Sequence, residues 1–272
     1  LLGPSLSDIA REKAGILKSG VPVVLAPQQI EAERVVRAIA DVLGSPLVQV
    51  NRDWHYAAEE RGLAGQSFRV WRESGADPVR LTIPLLGYHQ IQNGTVAYAA
   101  LQVAGERGLA LEPGAIQAGM QQVRWPGRFH ILSTDPTVVL DCAHNRDSAL
   151  KLRIALDDYF PGRRVSMVFG ASSDKDVQGM LLELAPRISR LILTQADHPR
   201  AEGPEGLADL ARAFGQQVEV TIPVSEAVRI ATRQAGEDEV VLVTGSIFVV
   251  GSALAAWDAE QAQFVAAEPV SR

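Results

Sequence analysis

The sequence predicts an α/β protein whose second half contains a mainly parallel sheet. Short, β-branched apolar runs alternate with segments of helical spacing, and glycine, proline and polar residues separate them. Strands that alternate with helices in this way form right-handed βαβ units. The carboxyl ends of such strands meet at one edge of the sheet, which is where ligands bind.

Each predicted strand of the second half is followed by a predicted helix. The first strand, Thr137–Leu140, leads into a helix marked by apolar residues from Ala149 to Tyr159. The later strands repeat this arrangement, and their helices lie near 177–184, 207–214, 225–235 and 247–257. These strands are Val165–Phe169, Leu191–Thr194, Val218–Ile222 and Val240–Thr244.

The first half is less regular, and its elements are predicted one by one. A Trp-Pro-Gly turn at 125–127 marks the expected domain boundary, which gives domains 1–123 and 124–272. The predicted elements before this turn are a buried strand at Val21–Leu25, an amphipathic helix at 30–43, a hairpin of Ser67–Trp71 with Val79–Ile83, and a helix from Gln90 to about Arg107.

The composition narrows the classes of protein that are possible. A chain of 272 residues with 47% apolar and 21% charged residues suits one large or two medium globular domains. Its net charge of −6 and scattered basic residues argue against a nucleic-acid surface. The single cysteine, Cys142, excludes an internal disulfide. No apolar run reaches the ~18–20 residues of a membrane span, and no signal peptide is present, so a cytoplasmic protein is expected.

Polar or glycine-containing clusters follow four of the predicted strands. Because the strands are expected to be parallel, all four clusters should lie at the same edge of the sheet. Each cluster could simply cap the next helix, since Asp, Ser and Asn accept the free N–H groups of a first turn. A histidine in one and a lysine in another favour a binding edge. The clusters are Asp141–Asn145, Gly170–Asp176, Asp197–Arg200 and Thr244–Ser246.

Three further polar segments lie outside these strand ends. Lys13 is one of three charges in the apolar, glycine-containing turn Ile9–Ile16, and His89 lies at the polar corner Leu85–Asn93. Taken alone, Lys13 is typical of a charged residue exposed to solvent. His89 is typical of a residue that has its hydrogen bonds made within a corner of the chain. Arg128 follows the Trp-Pro-Gly turn, and a fixed arginine there suits either bidentate phosphate recognition or ordinary ion pairing.

Taken together and in order, these segments resemble the folylpolyglutamate synthases, which are Mur-type ligases. The resemblance extends over essentially the whole chain, and the lysine segment and the closing Thr-Gly-Ser-x-Phe sequence separate the folate ligases from the peptidoglycan ligases. The segments that carry it are Ile9–Lys18, Val21–Val24, Leu86–Gln90 with Asn93, Trp125–Arg128, Asp141–Asn145, Phe169–Asp176 and Thr244–Gly251. It implies the remainder of a central ATPase domain followed by a Rossmann-like C-terminal domain that binds glutamate.

The resemblance also implies roles for individual residues. Lys13 matches a catalytic lysine whose carbamate is a ligand of Mg²⁺, and a CO₂ adduct supplies the anionic oxygen that this hard cation prefers. Asn93 matches the residue that contacts adenine, and Arg128 the arginine on the ATP phosphates. Asp141 matches an acid that contacts the nucleotide. Three residues match positions that line the glutamate cleft: His144, Lys175 and Ser246. His144 is also assigned a catalytic role.

The implied activity is that of an ATP-dependent ligase that adds L-glutamate, through an acyl phosphate, to folate alone or to both folate and dihydropteroate. The implied cofactors are ATP and Mg²⁺. The implied substrates are glutamate and either folate or dihydropteroate, and the protein is expected to be a monomer. Two other readings stay open: another Mur-type ligase of peptidoglycan synthesis, and a non-catalytic nucleotide-binding module on the same α/β sheet.

Three departures from the family pattern bear on these expectations. No segment matches the phosphate loop G-x-x-x-x-G-K-[ST], so the chain is expected to be N-terminally truncated, to begin after that loop and to be inactive alone. Arg146 replaces the usual proline after Ala-His-Asn, which affects the local turn more than the chemistry. Cys142 replaces a small residue and is interpreted as a packing residue rather than a nucleophile.

Overall fold

The computed structural model describes residues 3, 5–75, 77–214 and 217–267, with side chains as far as 262. The chain divides into two compact units, Leu1–Val123 and Arg124–Arg272. No helix within these described ranges is long and apolar enough to cross a membrane.

The first unit contains two small sheets and four helices among its described residues. Strands β1 and β2 form a parallel pair, and β3, β4 and β5 form an antiparallel sheet in that order. The elements are α1 (Leu6–Ala14), β1 (Val23–Leu25), α2 (Ile30–Val42), β2 (Leu47–Gln49), β3 (Trp54–Gly62), β4 (Gly65–Arg72), β5 (Val79–Ile83), α3 (Tyr88–Glu106) and α4 (Ala115–Gln122).

The hairpin predicted from the sequence is confirmed as β4 and β5, with Phe68 opposite Leu81 in the register. Both side chains are buried beneath α3, where they form a core with Trp54 and Tyr98. Helix α3 comes close to this core at Gly94, because a Cβ at that position would lie 3.0 Å from the Phe68 ring. The packing of α3 on the antiparallel sheet thus fixes the corner at which α3 begins.

The first unit differs from the sequence-based expectations in two places. The segment around Lys13 is helical rather than a turn, because Ser5 and Asp8 form a reciprocal capping box that starts α1 and places Lys13 in its last turn. Strand β3 was not predicted from the sequence. Beyond Tyr56 its residues are exposed, so the apolar–polar alternation that reveals a half-buried strand is missing.

The second unit contains one six-stranded sheet in the order β10-β9-β8-β11-β7-β6. The five strands from β10 to β7 are parallel, and β6 is antiparallel to β7, so the predicted mainly parallel sheet is confirmed. The elements are β6 (His130–Thr134), β7 (Thr137–Leu140), α5 (Arg146–Tyr159), β8 (Arg164–Phe169), α6 (Val177–Leu184), a 3₁₀ turn (Ala185–Arg187), β9 (Ile188–Leu193), α7 (Pro204–Ala213), β10 (Val218–Val220), α8 (Val224–Gln234), β11 (Glu239–Thr244) and α9 (Ile247–Ala267).

The centre of this sheet is buried on both faces. Every residue of β7 and β11 is buried, as expected when helices cover both sides of a parallel sheet. One face packs against α8 and α9 through residues such as Val228 and Val249. The strands that precede the four polar clusters, β7, β8, β9 and β11, are parallel. The clusters therefore lie at one edge of the sheet, as the sequence predicts.

Candidate functional site

In the first unit, the polar corner before α3 is held by a buried glutamine. Gln66 Nε2 donates hydrogen bonds to the carbonyl oxygens of Leu85, at 2.7 Å, and Gly87, at 2.9 Å. Gly87 has a φ of 100°, a left-handed conformation that a side chain would strain. The entry of the chain into α3 is therefore fixed by a side chain of β4.

Asn93 is exposed one turn into α3, and its amide is hydrogen-bonded to a buried neighbour. Its Nδ2 donates to Gln90 Oε1 at 3.1 Å. Gln90 is only 5% exposed, and its own Nε2 lies 3.0 Å from His89 Nε2. His89 is thus part of a hydrogen-bond chain at the corner.

Lys13 lies at the exposed end of α1, in the last turn of that helix. Across the described residues no group of three or more His, Cys, Asp or Glu side chains is arranged to hold a metal ion. The residues present therefore do not assemble a metal site by themselves. Lys13 fits such a site only as one ligand, and only as a carbamate, since an ammonium has no lone pair to offer.

In the second unit, the turn that carries Arg128 is tied to the end of β7. The Cys142 N–H donates to the Gly127 carbonyl at 2.9 Å, and the Phe129 N–H donates to Asp141 Oδ2 at 2.8 Å. The other oxygen, Asp141 Oδ1, accepts from the Ala143 N–H at 2.8 Å. Both residues that flank Arg128 are thus anchored, while its own side chain is exposed, with the guanidinium 5.9 Å from the Trp125 ring.

The electrostatics of this turn follow from its burial. Burial raises the pKa of Asp141 to about 6, although the two N–H groups and the positive charge of Arg128 oppose the rise. Burial, and next to it the charge of Asp141, raises the pKa of the Cys142 thiol to about 11. A thiol with this pKa is protonated at neutral pH and is a poor nucleophile.

Three strand ends of the second unit are held together by their backbones. The Gly245 N–H donates to the Ala143 carbonyl at 3.2 Å, and the Gly170 N–H donates to the Thr244 carbonyl at 3.4 Å. A Cβ on Gly245 would lie 2.5 Å from the Gly170 carbonyl oxygen, so only glycine allows this approach. The contacts bring the ends of β7, β11 and β8 side by side, with His144 and Ser246 each one residue beyond a joined position.

Some of the polar residues at this edge cap helices, and others do not. Asn145 caps α5, and Asp176 caps α6 through the Gly179 N–H at 2.8 Å. Ser246 is buried, and its hydroxyl accepts from the Phe248 N–H at 3.2 Å in the first turn of α9. For these three residues the capping interpretation describes the contacts in the structure.

His144 and Lys175 do not cap helices. His144 is exposed, and its Nδ1 donates to the Cys142 carbonyl at 2.9 Å, which leaves a lone pair on Nε2 in the neutral ring. Lys175 is half-buried and forms an ion pair with Asp174 at 2.9 Å. The hydrogen bond from Lys175 holds the pKa of Asp174 below its ordinary value.

One feature of this edge could not be read from the sequence. The His198 ring stacks on Phe248 with centroids 3.6 Å apart, and the Arg200 guanidinium lies 5.6 Å from the same ring. The sequence shows the cluster Asp197–Arg200 beside its strand, but the aromatic partner of this cluster is in α9, far along the chain. Lys13 and Asn93 lie in the first unit and the other predicted site residues lie in the second.

Comparison with known proteins shows what this chain is similar to. Residues 127–247 match the Mur ligase, glutamate ligase domain. The dihydrofolate synthase/folylpolyglutamate synthase of Bacillus subtilis is 30% identical over 252 residues, which are 92% of this chain and 58% of that protein. The structure of E. coli FolC in complex with DHPP and ADP is 28% identical with a TM-score of 0.83, over 96% of this chain and 58% of that one.

A third similar protein is the bifunctional folylpolyglutamate synthase/dihydrofolate synthase of Yersinia pestis, solved in complex with AMPPNP and Mn ion. It is 28% identical with a TM-score of 0.81, over 95% of this chain and 58% of that one. The chain thus spans less than two thirds of the length of each of these relatives. Residues 127–247 thus match the glutamate ligase domain of the Mur ligases, and nearly the whole chain is similar to folylpolyglutamate synthases in sequence and in α/β fold.

Proposed function

We propose that the protein carrying this chain is an ATP-dependent ligase that adds L-glutamate to folate, and also to dihydropteroate. The names of the relatives support this activity, and the nucleotides in the E. coli and Yersinia structures support the use of ATP. The Mn ion of the Yersinia complex supports a divalent cation, for which we propose Mg²⁺. We propose that residues 1–123 are the C-terminal part of the central ATP-binding domain and 124–272 the glutamate-binding domain.

The observation that carries the proposal is the edge of the C-terminal sheet at which His144, Ser246 and Lys175 follow three adjacent strands. This edge lies inside the segment that matches a glutamate ligase domain. Lys175 supplies a positive charge for a glutamate carboxylate. His144, with Nδ1–H donated to a carbonyl, offers Nε2 as a hydrogen-bond acceptor for the amine. We propose that Ser246, at the start of α9, also lines the cleft that receives glutamate.

The proposed reaction has two steps. A carboxylate oxygen of the pteroyl substrate attacks the γ-phosphorus of ATP, the bond to the β-bridging oxygen breaks, and an acyl phosphate and ADP form. The glutamate amine then attacks the acyl carbon, phosphate leaves, and a proton of the amine passes to His144 Nε2. Arg128 balances negative charge on the transferred phosphoryl group, and Asn93 contacts the adenine. Asp141 holds the turn of Arg128 and contacts the nucleotide.

A divalent cation, when bound, neutralises charge on the phosphates of ATP. Of the residues described, Lys13 is the one we propose as a ligand, in its carbamylated form. We also propose that the 272 residues alone are inactive, because none of their segments supplies a phosphate loop.

A substrate panel on the natural full-length protein tests the function. Radiolabelled glutamate should enter a folate product only when ATP and a pteroyl substrate are both present. Incorporation into a UDP-linked muropeptide instead would support the peptidoglycan ligase, and nucleotide binding without any incorporation would support the non-catalytic module. The same assay on the 272-residue chain should show no turnover.

A further inference from the structure

Three side chains at the start of α3 form a hydrogen-bond chain, which we call the His89–Gln90–Asn93 relay. Asn93 Nδ2 donates to Gln90 Oε1 at 3.1 Å, and Gln90 Nε2 lies 3.0 Å from His89 Nε2. Gln90 is buried at 5% exposure, whereas Asn93 at the end of the relay is exposed. A buried amide thus holds a surface amide in one orientation.

The placement of the two amide groups sets the direction of the relay. An amide nitrogen only donates, so the nitrogen of Gln90 must donate to His89 Nε2, and that nitrogen must be the unprotonated one of the ring. Gln90 Oε1 then faces Asn93, and it accepts one of the two Nδ2 hydrogens. The orientation of the Asn93 amide is therefore set by its neighbour rather than by solvent.

The backbone beneath the relay is fixed. The Gln90 N–H donates to the Gly87 carbonyl at 2.9 Å, and the same carbonyl accepts from Gln66 Nε2. Thr95 in the next turn is fully buried, and its hydroxyl donates to the Ile91 carbonyl at 2.9 Å. The backbone from which Gln90 and Asn93 project is therefore held by buried contacts of α3.

We propose that Gln90 is a specificity-determining residue, which orients the Asn93 amide so that it accepts adenine and rejects 6-oxopurines. With one Nδ2 hydrogen committed to Gln90, Asn93 presents Oδ1 as an acceptor and its second Nδ2 hydrogen as a donor. Adenine offers the complementary pair, an N6 amino donor beside the N7 acceptor, whereas a 6-oxopurine offers two acceptors. The inference rests on the proposed use of ATP and on the proposed contact of Asn93 with adenine.

The test compares ATP with ITP, which carries an oxygen in place of the N6 amino group. Gln90→Met keeps the length of the side chain but leaves the Asn93 amide free to rotate and present its NH₂ group to O6. The ratio of kcat/KM for ATP over ITP should fall by about tenfold, the scale of one well-placed bidentate contact. Gln92→Met, a change of the same type outside the relay, should leave the ratio unchanged.

Gln90→Glu tests the direction of the relay without depending on the stability of the methionine variant. A carboxylate can only accept. It should take the Asn93 Nδ2 hydrogen as the wild type does, and accept from His89 Nε2 once the ring carries its proton on that nitrogen, so the ratio should stay near the wild-type value. A fall equal to that of Gln90→Met would overturn the inference. An unchanged ratio in Gln90→Met would overturn it as well.

Asn93→Ala separates a failure of this inference from a failure of the proposed function. If Asn93→Ala lowers the ATP-over-ITP ratio and Gln90→Met does not, Asn93 contacts the base but Gln90 does not orient it. If the wild-type protein binds neither nucleotide, the proposed function fails, and the inference fails with it.

Discussion

The Phe129 backbone N–H donates a 2.8 Å hydrogen bond to Asp141 Oδ2, which joins the turn of Arg128 to the end of strand β7. Phe129 has a φ of 42°, a left-handed value that is uncommon for a residue other than glycine. Its ring is buried beside Tyr159 and Phe160, at centroid distances of 5.6 and 6.1 Å. The carboxylate and the aromatic packing together hold the residue after Arg128 in a conformation that it would otherwise avoid.

The first prediction concerns the pH dependence of stability. Burial raises the pKa of Asp141 from 3.8 to about 6, so the folded protein binds this proton more tightly than the unfolded chain. The stability that the proton contributes is complete below pH 3.8 and is lost as the pH rises through about 6. Across that pH window the free energy of unfolding of the wild type should fall by on the order of 2–3 kcal/mol relative to that of Asp141→Asn, whose amide does not titrate there.

Urea unfolding of both proteins at several pH values measures this difference. Comparison of the two proteins cancels the contribution of the other titrating groups. A difference in the free energy of unfolding that stays constant with pH, or that moves in favour of the wild type as pH rises, would show that the carboxyl is not destabilised by burial.

The second prediction concerns Gly127, which precedes Arg128. Its φ is 76°, and a Cβ there would lie 2.8 Å from Cys142 Sγ and 3.1 Å from Val250 Cγ1. Gly162 has a similar φ of 71° but open space around it, so Gly162→Ala reports backbone strain alone. We expect Gly127→Ala to lower the free energy of unfolding by about 1–3 kcal/mol more than Gly162→Ala does.

Denaturant unfolding of the two alanine variants gives the comparison. Cys142→Ala removes the sulfur, so the excess cost of Gly127→Ala should shrink in the double variant. Equal costs at the two glycines would mean that the turn does not pack against Cys142.

The third prediction assigns Arg128 to phosphoryl transfer. Arg128→Ala should lower kcat by more than it raises the KM for glutamate, because its proposed partner is the phosphate in transfer. The loss should be on the order of 2–4 kcal/mol of barrier, as for other groups that stabilise a transition state. Arg124→Ala removes an exposed arginine four positions earlier and serves as the control. Steady-state kinetics with an unchanged kcat for Arg128→Ala would remove Arg128 from the mechanism.

The fourth prediction concerns Lys13 as a carbamate. Lys13→Ala should abolish turnover in the full-length protein, and acetate should partly restore it by supplying an oxygen ligand. Lys13→Arg keeps the positive charge but forms no carbamate, so it should be as inactive as alanine. A merely solvated lysine would contribute about 0–1 kcal/mol through surface ion pairs. Near-normal turnover of Lys13→Arg would show that Lys13 acts only as a surface charge.

The parallel sheet of the second unit is predictable from sequence because its central strands are buried on both faces. A run such as Val240–Thr244 has no polar face, and its length and the turn residues around it distinguish it from a helix. Strand β3 is not predictable in this way. Its Glu59 and Glu60 form ion pairs with Arg69 of β4 and Arg80 of β5, and those partners are known only once the strands are aligned.

The candidate site is likewise predictable from sequence only in part. Sequence patterns indicate which strand ends carry polar residues, because a run such as Asp141–Asn145 is visible beside its strand. They do not indicate which polar atoms meet. The hydrogen bond of Gln66 to Gly87 and the stack of His198 on Phe248 join residues that are distant in the sequence. These contacts depend on tertiary packing rather than on local spacing.

Transfer of oxygen-18 from substrate to phosphate tests the proposed acyl-phosphate ligase most directly. The full-length protein would be given ATP, glutamate and a pteroyl substrate whose carboxylate is labelled in both oxygens. If the carboxylate attacks ATP, one labelled oxygen must leave with the phosphate when the glutamate amine displaces it, so each phosphate released should carry one label. Unlabelled phosphate formed together with the glutamylated product would contradict the acyl phosphate, and with it the reaction proposed for this protein.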